Sequence, residues 1–165
     1  MSQGYETQPY KLIKDFEVFE IRYYPSVHMV QTESTETSGN NFSKLFQYIS
    51  GSNESNLKIA MTTPVHMEKK GGKEKMAFVI PSSIKTPPEP QNENVRLIQS
   101  KAAYFAALKY SGYTNKAKSD FYTEKLREHI NNKGLKILGE AVVLGYNSPY
   151  KFFNRLNEII IEIDY

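Results

Sequence analysis

The order of predicted elements restricts the fold of this chain most strongly, because the same order occurs twice. Alternation and helical spacing of apolar residues predict two strands, a helix and two strands, in that order, on each side of a segment with four prolines in residues 81–90. The halves lie at about residues 10–82 and 92–165. The first comprises strands at 16–23, 27–32, 58–68 and 75–80 and a helix over about 41–50; the second comprises strands at 95–99, 103–110, 141–146 and 158–163 and a helix over 114–133.

This repeat predicts an α+β fold. Two such halves can pair their sheets into one curved antiparallel β-barrel flanked by two helices, which protects edges that each half alone would expose. Each half is small for an independent core, so we interpret the proline-rich segment as a stiff connection within a single domain of residues 1–165. The first two strands are expected to form a hairpin across Tyr24-Pro25-Ser26.

Composition excludes several kinds of site and partner. The chain has no Cys, and therefore no disulfide, thiolate nucleophile, zinc finger or iron–sulfur cluster. It has no run of about 18 apolar residues that could span a membrane, and its polar start lacks the apolar stretch of a secretory signal. A net charge of +3 indicates no nucleic-acid arm. We expect a soluble, cytoplasmic protein without nucleic-acid or membrane partners.

The sequence offers no positive case for catalysis. His28, His66 and His129 are far apart and match no metal-ligand spacing, so boundary or surface positions are the simpler interpretation. Gly71-Gly72-Lys73 lacks the remainder of a phosphate loop and reads as a hairpin turn. No nucleophile elbow and no pair of carboxylates in an apolar context appear. We expect no enzymatic activity and assign no catalytic residue and no metal ligand.

The first helix supports two interpretations. Phe42 and Phe46 are four residues apart, as are Leu45 and Ile49, so all four can form one stripe that faces the core. Alternatively, Leu45 and Ile49 anchor the helix while Phe42 and Phe46 wall a cleft, with Met67 on the neighbouring strand as adaptable lining. The residues alone leave both open.

Aromatic residues indicate where a ligand and the core could lie. The chain has 12 Tyr and 9 Phe but no Trp, so Tyr must help to build the core or line a pocket. The packing side of the second helix is expected to carry Ala117, Phe121, Tyr122, Leu126 and Ile130. Lys151 and Arg155 stand in an aromatic segment before the last strand, and cations among aromatics suit a flat apolar ligand with carboxylates at one edge.

Five segments resemble one family. Residues 58–65, Lys-Ile-Ala-Met-Thr-Thr-Pro-Val, closely resemble the most recognisable strand of the SOUL haem-binding protein family. Four other segments match in order: residues 10–23 with their Phe-Glu-Val-Phe-Glu-Ile-Arg-Tyr run, 78–81 with their proline-rich follower, 145–149 and 155–158. The resemblance covers nearly the whole chain.

This resemblance implies a distorted antiparallel barrel with two helices, built from a pseudo-twofold repeat, and non-covalent binding of haem or a related tetrapyrrole. By position, Phe42 and Phe46 match apolar helix positions of the family's cleft, Met67 matches the facing strand, and Lys151 matches a basic position near the haem propionates. Members share no obligatory axial ligand, so no histidine is assigned to the iron.

The sequence also departs from the family pattern. Where relatives can carry basic residues around the first helix, this chain has Gly39 and Gln47, which implies weaker binding of the propionates. The usual second basic residue beside Arg155 is replaced by Leu156.

The leading hypothesis is a haem buffer or carrier with no obligate protein partner. A second hypothesis is a general small-molecule effector or sensor module, because the duplicated architecture resembles ligand-binding domains of some transcription regulators. Such a module should bind many flat apolar cations as well as porphyrins. A third is a tetrapyrrole-processing enzyme, for which the sequence supplies no nucleophile.

Overall fold

The computed structural model describes residues 5–35, 40–147 and 155–165. Within these ranges the chain forms twelve strands and two helices. In chain order they are β1 (Glu6–Thr7), β2 (Lys11–Asp15), β3 (Glu20–Tyr24), β4 (His28–Thr35), α1 (Asn41–Ile49), β5 (Thr62–Thr63), β6 (Val65–Lys70), β7 (Lys73–Val79), β8 (Val95–Gln99), β9 (Ala103–Ser111), α2 (Lys116–Asn132), β10 (Lys136–Ile137), β11 (Val142–Gly145) and β12 (Leu156–Asp164). They divide between two compact units, which we describe separately. The first unit comprises residues 1–8 and 26–101, and the second comprises residues 9–25 and 102–165.

The first unit contains an antiparallel sheet in the order β8-β4-β7-β6, with α1 packed on one face. The register places Val30 between Phe78 and Leu97, and Phe78 is also opposite Val65. This face and the buried side of α1 form a core, in which Val30 and Phe78 are almost completely buried. The predicted turn at residues 71–72 joins β6 to β7 and is confirmed.

Helix α1 packs on the sheet through one stripe of buried side chains. Asn41, Leu45, Tyr48 and Ile49 are buried at the spacing of one helix face. The last turn is closed by the Ser50 N–H, which donates to the Phe46 and Gln47 carbonyls, and the positive φ of Gly51 takes the chain out of the helix.

A buried turn built on Asn53 follows α1. Asn53 is fully buried, its Nδ2 donates to the carbonyls of Tyr48 and Leu57, and its Oδ1 accepts from the N–H groups of Ser55 and Leu57. The proline-rich segment lies against the same region, where the Tyr48 hydroxyl donates to the Pro88 carbonyl at 2.6 Å. The segment is therefore attached to the first unit at α1.

The N-terminal residues are also attached to the first unit. Strand β1 pairs with β5 in parallel, and the Gln8 N–H donates to the Thr63 carbonyl at 2.8 Å. The buried Gln8 side chain then accepts a hydrogen bond from Nε2 of His66 at 2.7 Å. Burial lowers the pKa of His66 from its usual 6.5 to about 4.

This histidine should make the protein sensitive to mild acid. Since the pKa of His66 is lower in the folded chain, its contribution to stability is complete above pH 6.5 and is lost as the pH falls toward 4. We expect the free energy of unfolding to decrease through this window by up to about 1.4 kcal/mol per pH unit. Urea unfolding of the wild type and His66→Gln between pH 7 and 4.5 measures it. Identical pH profiles of the two proteins would contradict the assignment.

The second unit contains an antiparallel sheet in the order β2-β3-β9-β12, and the other edge of β12 pairs with β11 and β10. Helix α2 packs on one face through Leu126 and Ile130, which join a core with Ile159, Ile161 and Ile163. The strand predicted at residues 158–163 is therefore confirmed. The helix begins at Asn115, whose Oδ1 accepts from the Lys118 N–H at 2.8 Å.

The prediction that Phe121 packs was wrong, since 55% of its surface is exposed. The buried line on α2 runs through Tyr122, Leu126 and Ile130, at intervals of four residues. Phe121 lies about 100° away around the helix and makes an edge contact with the Tyr122 ring at 5.1 Å.

The prediction of an α+β fold with antiparallel strands and two helices is confirmed. The hairpin of the first two strands was wrong: β3 pairs with β2 and β9, whereas β4 pairs with β7 and β8. The order β8-β4-β7-β6 in the first unit corresponds to β3-β9-β12-β11 in the second. In each unit, one neighbour of the strand that precedes the helix comes from the other half of the sequence. That neighbour is β8, paired with β4, in the first unit and β3, paired with β9, in the second. The single domain and the repeat boundaries stay predictions.

Candidate ligand-binding site

One side of α1 carries an exposed pair of aromatic rings. Phe42 and Phe46 stack with their centroids 6.0 Å apart and an interplanar angle of 14°. They remain 38% and 49% exposed, whereas Leu45 and Ile49 are buried. Of the two interpretations of the helix, the structure therefore agrees with the one in which Leu45 and Ile49 anchor it and the phenylalanines lie outside the core stripe.

One ring of the aromatic pair on α1 contacts strand β7 of the sheet. The Phe42 ring contacts the Phe78 ring of β7 at 5.2 Å, and Phe78 is opposite Val65 of β6. Met67 lies two residues beyond Val65, so it shares the face that α1 covers, and it is half-buried opposite Met76. Phe42, Phe46 and Met67 thus lie in one unit and on one side of one sheet. Lys151 lies outside the described residues.

This arrangement suits a flat apolar molecule. Stacked rings at the surface offer a π face, and aromatic pairs prefer offset or edge contacts with a further ring. Met67 and Met76 add polarizable, adaptable side chains to the same face of the sheet. Apolar surface removed from water contributes about 25 cal/mol per Å², so covering these rings favours binding.

The three histidines lie in different surroundings. His66 is bonded to Gln8, His28 begins β4, and the His129 ring stacks on Phe19 at 5.9 Å in the second unit. Among the described residues there is no group of three or more His, Asp or Glu side chains placed to hold a metal ion.

A buried ionic cluster in the second unit was not predicted. Arg22 of β3 is fully buried and forms two hydrogen bonds with the Glu158 carboxylate of β12, at 2.9 and 2.5 Å. The guanidinium also donates to the Tyr24 hydroxyl at 2.9 Å, and the Tyr146 hydroxyl donates to Glu158 at 2.6 Å. The partly exposed Tyr10 ring covers the guanidinium at 4.1 Å.

The cluster shifts the pKa values of its members in defined directions. Burial alone would lower the pKa of Arg22, but the hydrogen bonds and charge of Glu158 outweigh it, and the guanidinium stays charged. Burial raises the pKa of Tyr24 to about 12 despite the nearby Arg22 charge. Burial and then the Glu158 charge raise the pKa of Tyr146. All partners are mutually bonded, so the cluster is a fixed polar part of the core.

The sequence pattern at this cluster indicates the wrong environment. Charged residues on β3 and β12 alternate with Ile21, Ile159 and Ile161, and that alternation normally indicates a solvated face. Both faces of these strands are buried instead. Tyrosines of both units fulfil the expectation from composition, since Tyr24, Tyr48 and Tyr110 are core residues.

Neither helix is long and apolar enough to cross a membrane, within the part of the chain that the structure describes. The α+β fold and the exposed, stacked aromatic pair on α1 are typical of a protein that binds a small apolar ligand.

Comparisons with known proteins identify the family. Residues 5–162 match the family described as SOUL heme-binding protein. Human Heme-binding protein 2 is 31% identical over 159 residues, which cover 86% of this chain and 76% of that protein. Heme-binding protein 1 of Xenopus tropicalis is 27% identical and covers 94% of this chain and 91% of its own length. The chain therefore belongs to the SOUL haem-binding protein family.

Solved structures support the fold alone. The EcmrR C-terminal domain superposes with a TM-score of 0.65 at 10% identity, over 94% of this chain and 98% of that domain. A Listeria innocua protein named a hydrolase superposes with a TM-score of 0.61 at 8% identity, over 88% and 91%.

Proposed function

We propose that this chain binds haem or a related tetrapyrrole without a covalent bond and acts as a haem buffer or carrier. The observation that carries the proposal is the exposed, stacked pair Phe42 and Phe46 on α1, beside the face that holds Met67, in a chain of the SOUL family. Two of its relatives are named heme-binding proteins.

The energetics favour binding without an iron–ligand bond. A porphyrin buries a few hundred Å² of apolar area, which at about 25 cal/mol per Å² contributes several kcal/mol before the cost of association. Affinity in the micromolar range follows. Since no residue is nominated as an iron ligand, metal-free protoporphyrin IX should bind about as tightly as hemin.

Binding without turnover is part of the proposal. It rests on the absence of a nucleophile elbow and of paired carboxylates from the sequence. Recovery of chemically unchanged hemin after prolonged incubation is the corresponding observation, and a modified tetrapyrrole would contradict it.

Titration with hemin, followed at the Soret band, tests the proposed function. We expect saturable 1:1 binding that Phe46→Ala weakens about 10-fold, because the variant loses one ring of the stack and its apolar surface. Phe121→Ala is the matched control, since Phe121 is similarly exposed on the other helix and should leave the affinity unchanged. Lys151→Ala should weaken binding of the propionates.

Absence of a saturable change would contradict haem binding. Equal affinities of the wild type, Phe46→Ala and Lys151→Ala would contradict the site. Equally tight binding of unrelated flat cations and porphyrins would favour a general small-molecule sensor over a haem carrier.

A further inference from the structure

A basic residue lies on the same sheet face as Met67. Side chains alternate along β6, so Val65, Met67 and Lys69 point to the face that α1 covers. Lys69 is about 7 Å further along the strand than Met67, toward the turn between β6 and β7. It is directly opposite Glu74 of β7, and its Nζ lies 3.0 Å from Glu74 Oε1.

The ion pair of Lys69 and Glu74 is accessible. The Lys69 side chain is 55% exposed and that of Glu74 is 24% exposed. Exposed pairs of this kind contribute little to folding and are screened by salt, so another carboxylate can take the place of Glu74.

Helix α1 begins beside the same pair. The Asn41 Nδ2 donates to the Glu74 carbonyl at 3.3 Å and to Ser34 Oγ at 3.0 Å. Asn40 provides no side-chain cap, and the first turn contains no acidic residue, so the positive end of the helix dipole is not neutralised within the helix. Asn41 Oδ1 is buried without a hydrogen-bond partner among the described residues, so one hydrogen-bond acceptor at the start of the helix is left unsatisfied.

We propose that Lys69 binds the carboxylate edge of the ligand and that Glu74 is the competitor which the ligand displaces. The inference rests on the proposed function and specifies its ligand class: a flat apolar ring system over Phe42, Phe46 and Met67, with a carboxylate directed toward the β6–β7 turn.

The experiment compares protoporphyrin IX with its dimethyl ester, which has the same ring and no ionised carboxylate. Affinities are measured by fluorescence for the wild type, Lys69→Gln, Glu74→Gln and Lys73→Gln. Lys73→Gln is the matched control, because Lys73 is in the same turn and 58% exposed but lies on the other face of the sheet, paired with Glu33. Lys73→Gln lowers the net charge by the same amount as Lys69→Gln.

We expect the wild type to prefer the free acid, and Lys69→Gln to lower that preference about 5- to 10-fold. Glu74→Gln should raise the affinity for the acid several-fold, because Lys69 no longer has a competing partner. Lys73→Gln should change neither, and all four proteins should bind the ester equally.

Two results would overturn the inference. One is the same preference for the acid in Lys69→Gln as in the wild type; the other is an equal loss in Lys69→Gln and Lys73→Gln, which would indicate long-range charge alone. In both cases the wild type still binds porphyrin, and the proposed function stands. Failure of the wild type to bind either porphyrin overturns the proposed function and this inference together.

Discussion

Replacement of Glu158 with Gln should lower the free energy of unfolding by about 3–5 kcal/mol, the largest effect that we expect from one substitution. The variant keeps the size of the side chain but removes the bidentate carboxylate of the fully buried Arg22 guanidinium, and with it two charge-assisted hydrogen bonds. Of the two carboxylates that pair with Arg22, only Glu20 remains, whose Oε1 lies 2.8 Å from Arg22 Nε. The substitution also replaces the acceptor of the Tyr146 hydroxyl. Urea unfolding at pH 7, followed by circular dichroism, measures the loss.

A double variant separates the cost of leaving Arg22 with Glu20 alone from the contribution of the Arg22–Glu158 pair. In Arg22→Met/Glu158→Leu both charges are absent, and hydrophobic replacements of a buried pair are often neutral or stabilising. We therefore expect the double variant to be more stable than Glu158→Gln. A cost below about 1 kcal/mol for Glu158→Gln, or a double variant that is no more stable, would contradict this account.

The second large effect should come from Asn53→Ala, which we expect to cost about 2–4 kcal/mol. The substitution removes four hydrogen bonds at a fully buried position. The Leu57 carbonyl and the N–H groups of Ser55 and Leu57 lose their Asn53 partner, and the Tyr48 carbonyl keeps only the Gly51 N–H at 3.3 Å. Each buried group left unsatisfied costs about 1–3 kcal/mol, and relaxation of the turn recovers part of the sum. Thermal and urea unfolding both report the change.

Asn92→Ala is the matched control. Asn92 Oδ1 makes a comparable turn bond with the Asn94 N–H at 2.8 Å, but at an exposed site where water can replace it. Its loss should cost less than about 1 kcal/mol. Equal losses of unfolding free energy in Asn53→Ala and Asn92→Ala would contradict the idea that burial makes the hydrogen bonds of Asn53 important for stability.

The sequence predicted the elements well and their pairing poorly. The alternation of Ile159, Ile161 and Ile163 and the stripe through Leu45 and Ile49 are local patterns, and both strand and helix occur where they indicate. Alternation shows which side chains share a face but does not identify the neighbouring strand. The hairpin prediction therefore chose the nearest strand in sequence, whereas β3 pairs with β9.

Part of the candidate site was also predictable from a local pattern. Spacing alone identified Phe42 and Phe46, because residues four apart on a helix are neighbours. Lys69 was not singled out, since it stands among charged residues near a glycine turn, a pattern typical of solvent-exposed hairpins. Alternation along β6 puts Lys69 on the face of Met67. Its position opposite Glu74 depends on the register of β6 with β7, which only the structure gives.

Asn41, which begins α1, and Asn53, in the turn that follows α1, limit the hosts in which the folded protein can be produced. Asn41-Phe-Ser and Asn53-Glu-Ser both match the N-glycosylation acceptor pattern, and a glycan is attached at Nδ2. Asn41 and Asn53 are buried, and the Nδ2 of each donates two hydrogen bonds. A sugar would replace one of those two hydrogens and would have no space. The native fold and glycosylation at these sites therefore exclude each other, and production in a host that glycosylates secreted chains should yield either unmodified protein or misfolded glycoprotein.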